Sequence, residues 1–299
     1  MAETPNHNAL VGILWMIFTG LCFVGVTALV KVLGTRLPAQ QTAFIRYALG
    51  LVLVLPALKS VLAAKITRKQ LGLLSVRGIV HTGGVILWFY AMARIPIADV
   101  TAMNYVSPVY VTIAAAIFLG EKLAARRIIA VMLGLVGAVI ILRPGFRELN
   151  PGHIAMIFVP MSFGASYILA KRASNELSPT VIVAMLTVVV SIGLAPLAWP
   201  VWITPTPYEI AILAGVAVLA TLAHYSMSLA FQAAPVSVTQ PVTFLQLVWA
   251  VLLGSLVFGE AVDPFVLLGG AIIVASVSFI AWRESVLKRR RVTSNLNGA

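Results

Sequence analysis

GILWMIFTGLCFVGVTALVK at residues 12–31 and GHIAMIFVPMSFGASYILAK at residues 152–171 are two versions of one segment. They agree at Gly12/Gly152, Met16/Met156, Ile17/Ile157, Phe18/Phe158, Phe23/Phe163, Leu29/Leu169 and Lys31/Lys171, all at an offset of 140 residues. Further along, Pro96 pairs with Pro235, Gly120 with Gly259 and Glu121 with Glu260 at an offset of 139, so only one residue is lost in between. Each version opens a run of five apolar segments. Five crossings place the start of the second run on the opposite face of a bilayer, which makes the repeat inverted in topology, an arrangement that recurs among membrane carriers.

The segments have membrane length. About 20 apolar residues in a helix cross roughly 30 Å of hydrocarbon, and ten candidates can be read at 10–33, 40–58, 71–93, 97–119, 126–143, 152–172, 178–200, 208–232, 237–258 and 264–282. Only 10% of residues are charged and the mean hydropathy is +1.02, whereas water-soluble domains carry about a quarter charged residues. The expectation is an all-α integral membrane protein of ten transmembrane helices arranged as two inverted five-helix repeats. Residues 1–147 form the first, 148–285 the second, and 286–299 a basic tail. The first segment is too long, and too lightly flanked by positive charge, for a cleavable signal peptide, so it reads as a mature crossing.

Lys and Arg in the loops set the orientation. With the N-terminus inside, the inner loops and tail hold fourteen: Lys59, Lys65, Arg68, Lys69, Lys122, Arg126, Arg127, Lys171, Arg172, Arg283, Lys288, Arg289, Arg290 and Arg291. The outer side holds five, Lys31, Arg36, Arg94, Arg143 and Arg147. This positive-inside bias puts both termini in the cytoplasm of a bacterial inner membrane. The net charge of +12 is then a topology signal rather than a nucleic-acid footprint, and the run at 289–291 reads as a solvated or headgroup-facing tail. The lone Cys22 forbids an intrachain disulfide and a zinc cluster.

Residues 89–123 (FYAMARIPIADVTAMNYVSPVYVTIAAAIFLGEKL) and 228–262 (SLAFQAAPVSVTQPVTFLQLVWAVLLGSLVFGEAV) resemble the two EamA-type repeats of the drug/metabolite transporter superfamily. The turns at Pro96 and Pro235, the Gly-Glu pairs 120/121 and 259/260, and FIRYALGLVLVLP at 44–56 carry the resemblance, which extends over almost the whole chain. It implies a ten-helix metabolite carrier with a central cavity. Within the superfamily, the chain is most similar to the YddG-type bacterial amino acid exporters.

Polar groups at membrane depth mark where a solute would sit, because each costs free energy unless it meets a partner or a watery cavity. In the third crossing Arg77, His81, Gly84 and Trp88 share one helical face. Arg77 can instead snorkel to the interface, and His81 can instead tie two helices together. The fourth crossing offers Thr101, Asn104, Tyr105 and Ser107 before Pro108, and the ninth offers Thr239, Gln240, Thr243 and Gln246 around Pro241. Asn104 corresponds to Thr243 and Ser107 to Gln246 under the repeat, so paired helix interruptions point to a midplane site. A pair of kinks whose hydroxyls bond their own backbone is the plainer alternative.

The eighth crossing adds His224, one turn from the repeat position of His81, and two imidazoles at one depth suit proton coupling or carboxylate binding. Tyr167 and a third interruption at Pro160 come from the sixth crossing, where aromatics serve packing as readily as a ligand wall. Arg46, beside Tyr47 in the second crossing, is similar to the family's polar position there and suits a gate or a substrate charge.

All nine acidic residues, Glu3, Asp99, Glu121, Glu148, Glu176, Glu209, Glu260, Asp263 and Glu284, fall in loops, tails or helix ends. A cation exporter would want a midplane carboxylate, so a neutral, zwitterionic or anionic solute is favoured. Motifs for hydrolysis, metal binding, nucleotide binding or other cofactors are missing, which argues against an enzyme and leaves gradients or facilitated flow as the energy source.

These readings converge on a secondary transporter that exports aromatic or other apolar neutral amino acids and related metabolites by alternating access. One alternative is an uptake carrier for a vitamin or nucleoside-like metabolite. Another, of a different class, is a membrane sensor or assembly partner whose cavity is packed shut.

Overall fold

The computed structural model describes residues 9–107, 109–110, 125–143, 149–234, 239–276 and 278–279, and every regular element among them is a helix. The expectations for Pro108, Glu121, Pro235 and the basic tail lie outside the described residues.

Local chemistry sets the helix boundaries. Helix α1 spans Ala9–Leu33 and α2 spans Ala39–Val54, where a 3-10 turn at Leu55–Ala57 containing Pro56 ends it and a short α3 (Leu58–Ala63) follows. Helix α4, Arg68–Met92, starts earlier than the hydropathy suggests because Thr67 and Gln70 form a capping box, each side chain bonding the other's backbone N–H. Helix α9, Pro207–Ala233, opens on the same device, Thr206 with Glu209, at an offset of 139. Between them lie α5 (Ile97–Asn104), α6 (Ala125–Leu142), α7 (Pro151–Ala173) and α8 (Pro179–Ala198), the last two capped by Asn150 and Ser178. A 3-10 segment at Gln240–Phe244 leads into α10 (Leu245–Phe258), and α11 is Pro264–Ser276.

Among the described residues, five helices are long and apolar enough to cross a membrane, within Leu10–Leu33, Arg68–Met92, Pro151–Ala173, Pro179–Val201 and Pro207–Ala233. Shorter apolar helices accompany them at Met132–Leu142, Val242–Phe258 and Pro264–Ser276. The radial pattern reverses that of a water-soluble protein. Leu14, Phe18, Ile79, Ile192 and Leu256 face outward, while Thr19, Arg46, Arg77, His81, Ser166 and His224 are buried. Exposed apolar rims around a polar interior suit lipid as the outer solvent.

The major helix pairings run between the two sequence halves. Helix α1 packs along α9, α4 along α7 and α8, α2 along α8, and α5 along α10. Gly137 of α6 and Gly269 of α11 let their helices touch backbone to backbone, since a Cβ on either would strike the other's carbonyl oxygen. One large apolar core fills the centre, with Val26, Tyr47, Phe89, Met103, Met156, Phe163, Leu186 and Val216 among its members.

Candidate functional site

The interhelical pairings converge on one central cavity. Its wall takes residues from α1, α2, α4, α5, α7, α9 and the 3-10 entry to α10. His81, Trp88, Asn104, Tyr105, Ser107, Tyr167, His224, Thr243 and Gln246 all line it, together with Arg46 and Tyr47. Residues that polarity alone singles out in six separate crossings therefore share one space.

His81 sits at the hub. Its Nδ1 is 3.1 Å from the hydroxyl of Ser166 on α7, an interhelical tie across the halves. The imidazole stacks on Phe163, with ring centroids 4.9 Å apart and an interplanar angle of 27°. Gly84, one turn further along α4, makes room for that ring, because a Cβ there would run into Phe163 and Ser162. His224 stands edge-on to His81 at 5.3 Å and to Phe23 at 5.4 Å. Trp88 meets Phe23 at 6.2 Å and Phe163 at 5.7 Å, both edge to face, and Tyr167 lies 6.1 Å from Phe163. Such edge and offset contacts are the favoured geometries of packed aromatic rings.

The polar clusters of the fourth and ninth crossings touch at Tyr105 and Thr243. The Tyr105 hydroxyl donates to the Thr243 carbonyl at 2.8 Å, and its ring stands edge-on to Phe244 at 5.2 Å. Pro241 does fall in non-α backbone, within the 3-10 segment Gln240–Phe244. At Pro160 the expectation fails: α7 runs unbroken through it, with the proline buried. A membrane helix tolerates proline where neighbouring groups satisfy the freed carbonyl. Pro108 lies outside the described residues.

The two arginines differ in placement. Arg46 is 4% exposed, lines the cavity and lies over the Tyr47 ring with its Cζ 3.7 Å from the centroid. Arg77 does not snorkel. It is 1% exposed, stands behind the cavity wall and donates from Nη1 to the carbonyl of Ile182 on α8 at 3.2 Å. The cavity also takes Met16, Phe89, Met227, Phe231 and Phe244, which sequence reasoning did not select, because an apolar side chain on an apolar helix gives no contrast to read.

Among the described residues, acidic groups stay away from this space. Asp99 pairs with His153 at 2.9 Å, Glu209 with Arg36, Glu260 with Lys31 and Asp263 with Arg143. No group of three or more metal-ligating side chains occurs among the described residues.

Comparison with known proteins places this architecture. A riboflavin transporter of Vibrio cholerae is 31% identical over 95% of this chain and 97% of its own length. An S-adenosylmethionine uptake transporter of Rickettsia bellii is 28% identical over 94% and 97%. The pseudopaline exporter CntI of Pseudomonas aeruginosa is 25% identical over 89% and 94%. A protein of known crystal structure superposes with a TM-score of 0.58 at 18% identity, over 91% of this chain and 96% of that one, and shares the fold. The model of the EamA-like transporter family matches twice, at residues 10–143 and 150–282. With nearly all of both halves accounted for, this multi-pass membrane chain belongs to the EamA-like transporter family, whose members are carriers and not enzymes.

Proposed function

We propose that this protein is a secondary carrier that moves a flat, ring-bearing metabolite of the vitamin or nucleoside kind across the bacterial inner membrane through its central cavity. The observation that carries the reading is the wall itself, in which Phe23, Trp88, Phe163 and Tyr167 surround the His81/His224 pair. A planar solute gains apolar burial and stacking there, while Asn104, Ser107, Thr243 and Gln246 offer amide and hydroxyl partners for its edge. Relatives named for riboflavin and S-adenosylmethionine support the class. Between those two, the cavity favours an uncharged or anionic molecule over a sulfonium cation, because it holds Arg46 and, among the described residues, no carboxylate.

The proposed machinery is ten transmembrane helices in two inverted repeats, residues 1–147 and 148–285, with both termini cytoplasmic. The crossed pairing of α1 with α9 and α4 with α7, the two capping boxes at one offset and the double family match support it. The halves rock about the cavity and expose it to each side in turn, driven by the solute gradient or by a coupled proton.

Flavin binding tests the reading. Titrating riboflavin with the purified protein should quench flavin fluorescence saturably, and Trp88→Ala should weaken binding about tenfold, since stacking of one aromatic ring is worth about 1 kcal/mol beyond its burial. Quenching indistinguishable between wild type and Trp88→Ala would remove the aromatic wall from the account. Export of apolar amino acids is the second reading. The hydroxyl and amide cluster at Ser107, Asn104, Thr243 and Gln246 suits a zwitterion, and displacement of bound flavin by phenylalanine or tryptophan would favour it.

A further inference from the structure

The interior holds positive charge that no carboxylate among the described residues meets. Arg46 is 4% exposed and Arg77 1%. Every acidic residue among those described has a partner elsewhere: Asp99 with His153, Glu176 with Gln70, Glu209 with Arg36, Glu260 with Lys31 and Asp263 with Arg143. Neither buried arginine therefore meets a carboxylate among the described residues. Arg77 spends one nitrogen on the Ile182 carbonyl, while its Nε and Nη2 have no hydrogen-bond partner. Burying a cation without a counter-ion is unfavourable.

A guanidinium suits an anion by shape as well as charge. Its planar fork of N–H donors matches a carboxylate or a phosphate with two parallel bonds. Arg46 lines the cavity, with its guanidinium over the Tyr47 ring. Across the repeat this charge is one-sided. The positions corresponding to Arg46 and Arg77 at offsets of 140 and 139 are Leu186 and Val216, both buried and apolar. An electrostatic feature confined to one half serves an oriented guest rather than the symmetry of the fold.

We infer that the transported molecule carries a carboxylate or phosphate that docks on Arg46, while its ring lies against the Trp88 and Phe163 side of the cavity. This rests on the ring-metabolite reading above and narrows it from uncharged or anionic solutes to anionic ones. Arg46 is the substrate-contacting residue.

Matched ligand pairs test it on the full-length purified protein. Affinities are measured by calorimetry for riboflavin against riboflavin 5′-phosphate, adenosine against adenosine 5′-monophosphate, and nicotinamide against nicotinate. In at least one pair the anion should bind tenfold or more tighter than its neutral partner; the first two pairs report on phosphate and the third on carboxylate. Arg46→Gln should erase that preference, and Arg46→Lys should keep part of it. Should Arg46→Gln fail to fold, the wild-type preferences and Arg46→Lys still decide. Equal affinities within every pair overturn the inference and leave the ring-metabolite carrier standing, as does a preference that survives Arg46→Gln. No binding by any of the six compounds overturns both.

Discussion

The two ends of the helix bundle are fastened in different ways. At one end, Lys31–Glu260, Arg36–Glu209, Arg143–Asp263 and His153–Asp99 each join a residue of the first half to one of the second. Glu260 also accepts the backbone N–H of Ile97 at 3.1 Å, so a single carboxylate ties α1, the start of α5 and the end of α10. At the other end, among the described residues, the halves meet through two small apolar clusters, one of Met16, Ala170, Met227, Ala230 and Phe231 and one of Leu74, Ala173, Leu177, Val181 and Ile182. The Gln70–Glu176 bond there is exposed, and Lys171 donates to the Phe231 carbonyl within its own half. Parting the first end strands partly buried charges. Parting the second exposes methionine and phenylalanine to lipid, which solvates them about as well as protein does. The cavity shares Met16, Met227 and Phe231 with the first of these clusters, so the expectation is a mouth at the softly fastened end and closure at the ion-paired one.

Substitutions graded across the two ends sharpen the contrast. Asp99→Ala leaves His153, 3% exposed, without its carboxylate, and should cost about 3–5 kcal/mol of stability, the usual range for half of a buried pair. Thermal unfolding in detergent reads it. Glu260→Gln should cost about 1.5–3 kcal/mol by weakening hydrogen bonds to a charged group, and should slow transport while raising access to the cavity from the ion-paired end. A membrane-impermeant maleimide and a cysteine at Val26, in a Cys22→Ser background, report that access. Unchanged labelling would mean that Glu260 does not hold this end shut.

At the soft end Met16→Leu should change stability by less than about 1.5 kcal/mol, as volume-conserving apolar exchanges do. Glu176→Gln, at an exposed contact, should stay within about 0.5 kcal/mol. A large loss from either would erase the difference between the ends.

Much of this fold was legible because hydropathy, caps and repeat spacing act locally. Thr67–Gln70 and Thr206–Glu209 have capping-box spacing, which reading by hydropathy alone passed over, and the observed α4 and α9 start on them. Polar residues in apolar helices stood out for the same reason, and His81, Asn104, Ser107, His224, Thr243 and Gln246 come together around one cavity. Apolar members such as Met16, Phe89, Phe231 and Phe244 stayed hidden, since only tertiary packing separates a cavity wall from a core. Arg77 was ambiguous because its depth does not say whether a carbonyl of another helix waits for it, as that of Ile182 does. Pro160 misled because a proline's effect depends on neighbours that satisfy the helix around it.

The most direct test is exchange flux. Proteoliposomes preloaded with unlabelled riboflavin or riboflavin 5′-phosphate are given the labelled compound outside, and its uptake is timed for wild type, His81→Ala, Trp88→Ala and Glu176→Gln. The account predicts saturable exchange that falls at least tenfold in the two cavity variants and is retained in Glu176→Gln. Flux equal to that of empty liposomes, or cavity variants that exchange as fast as wild type, would contradict it.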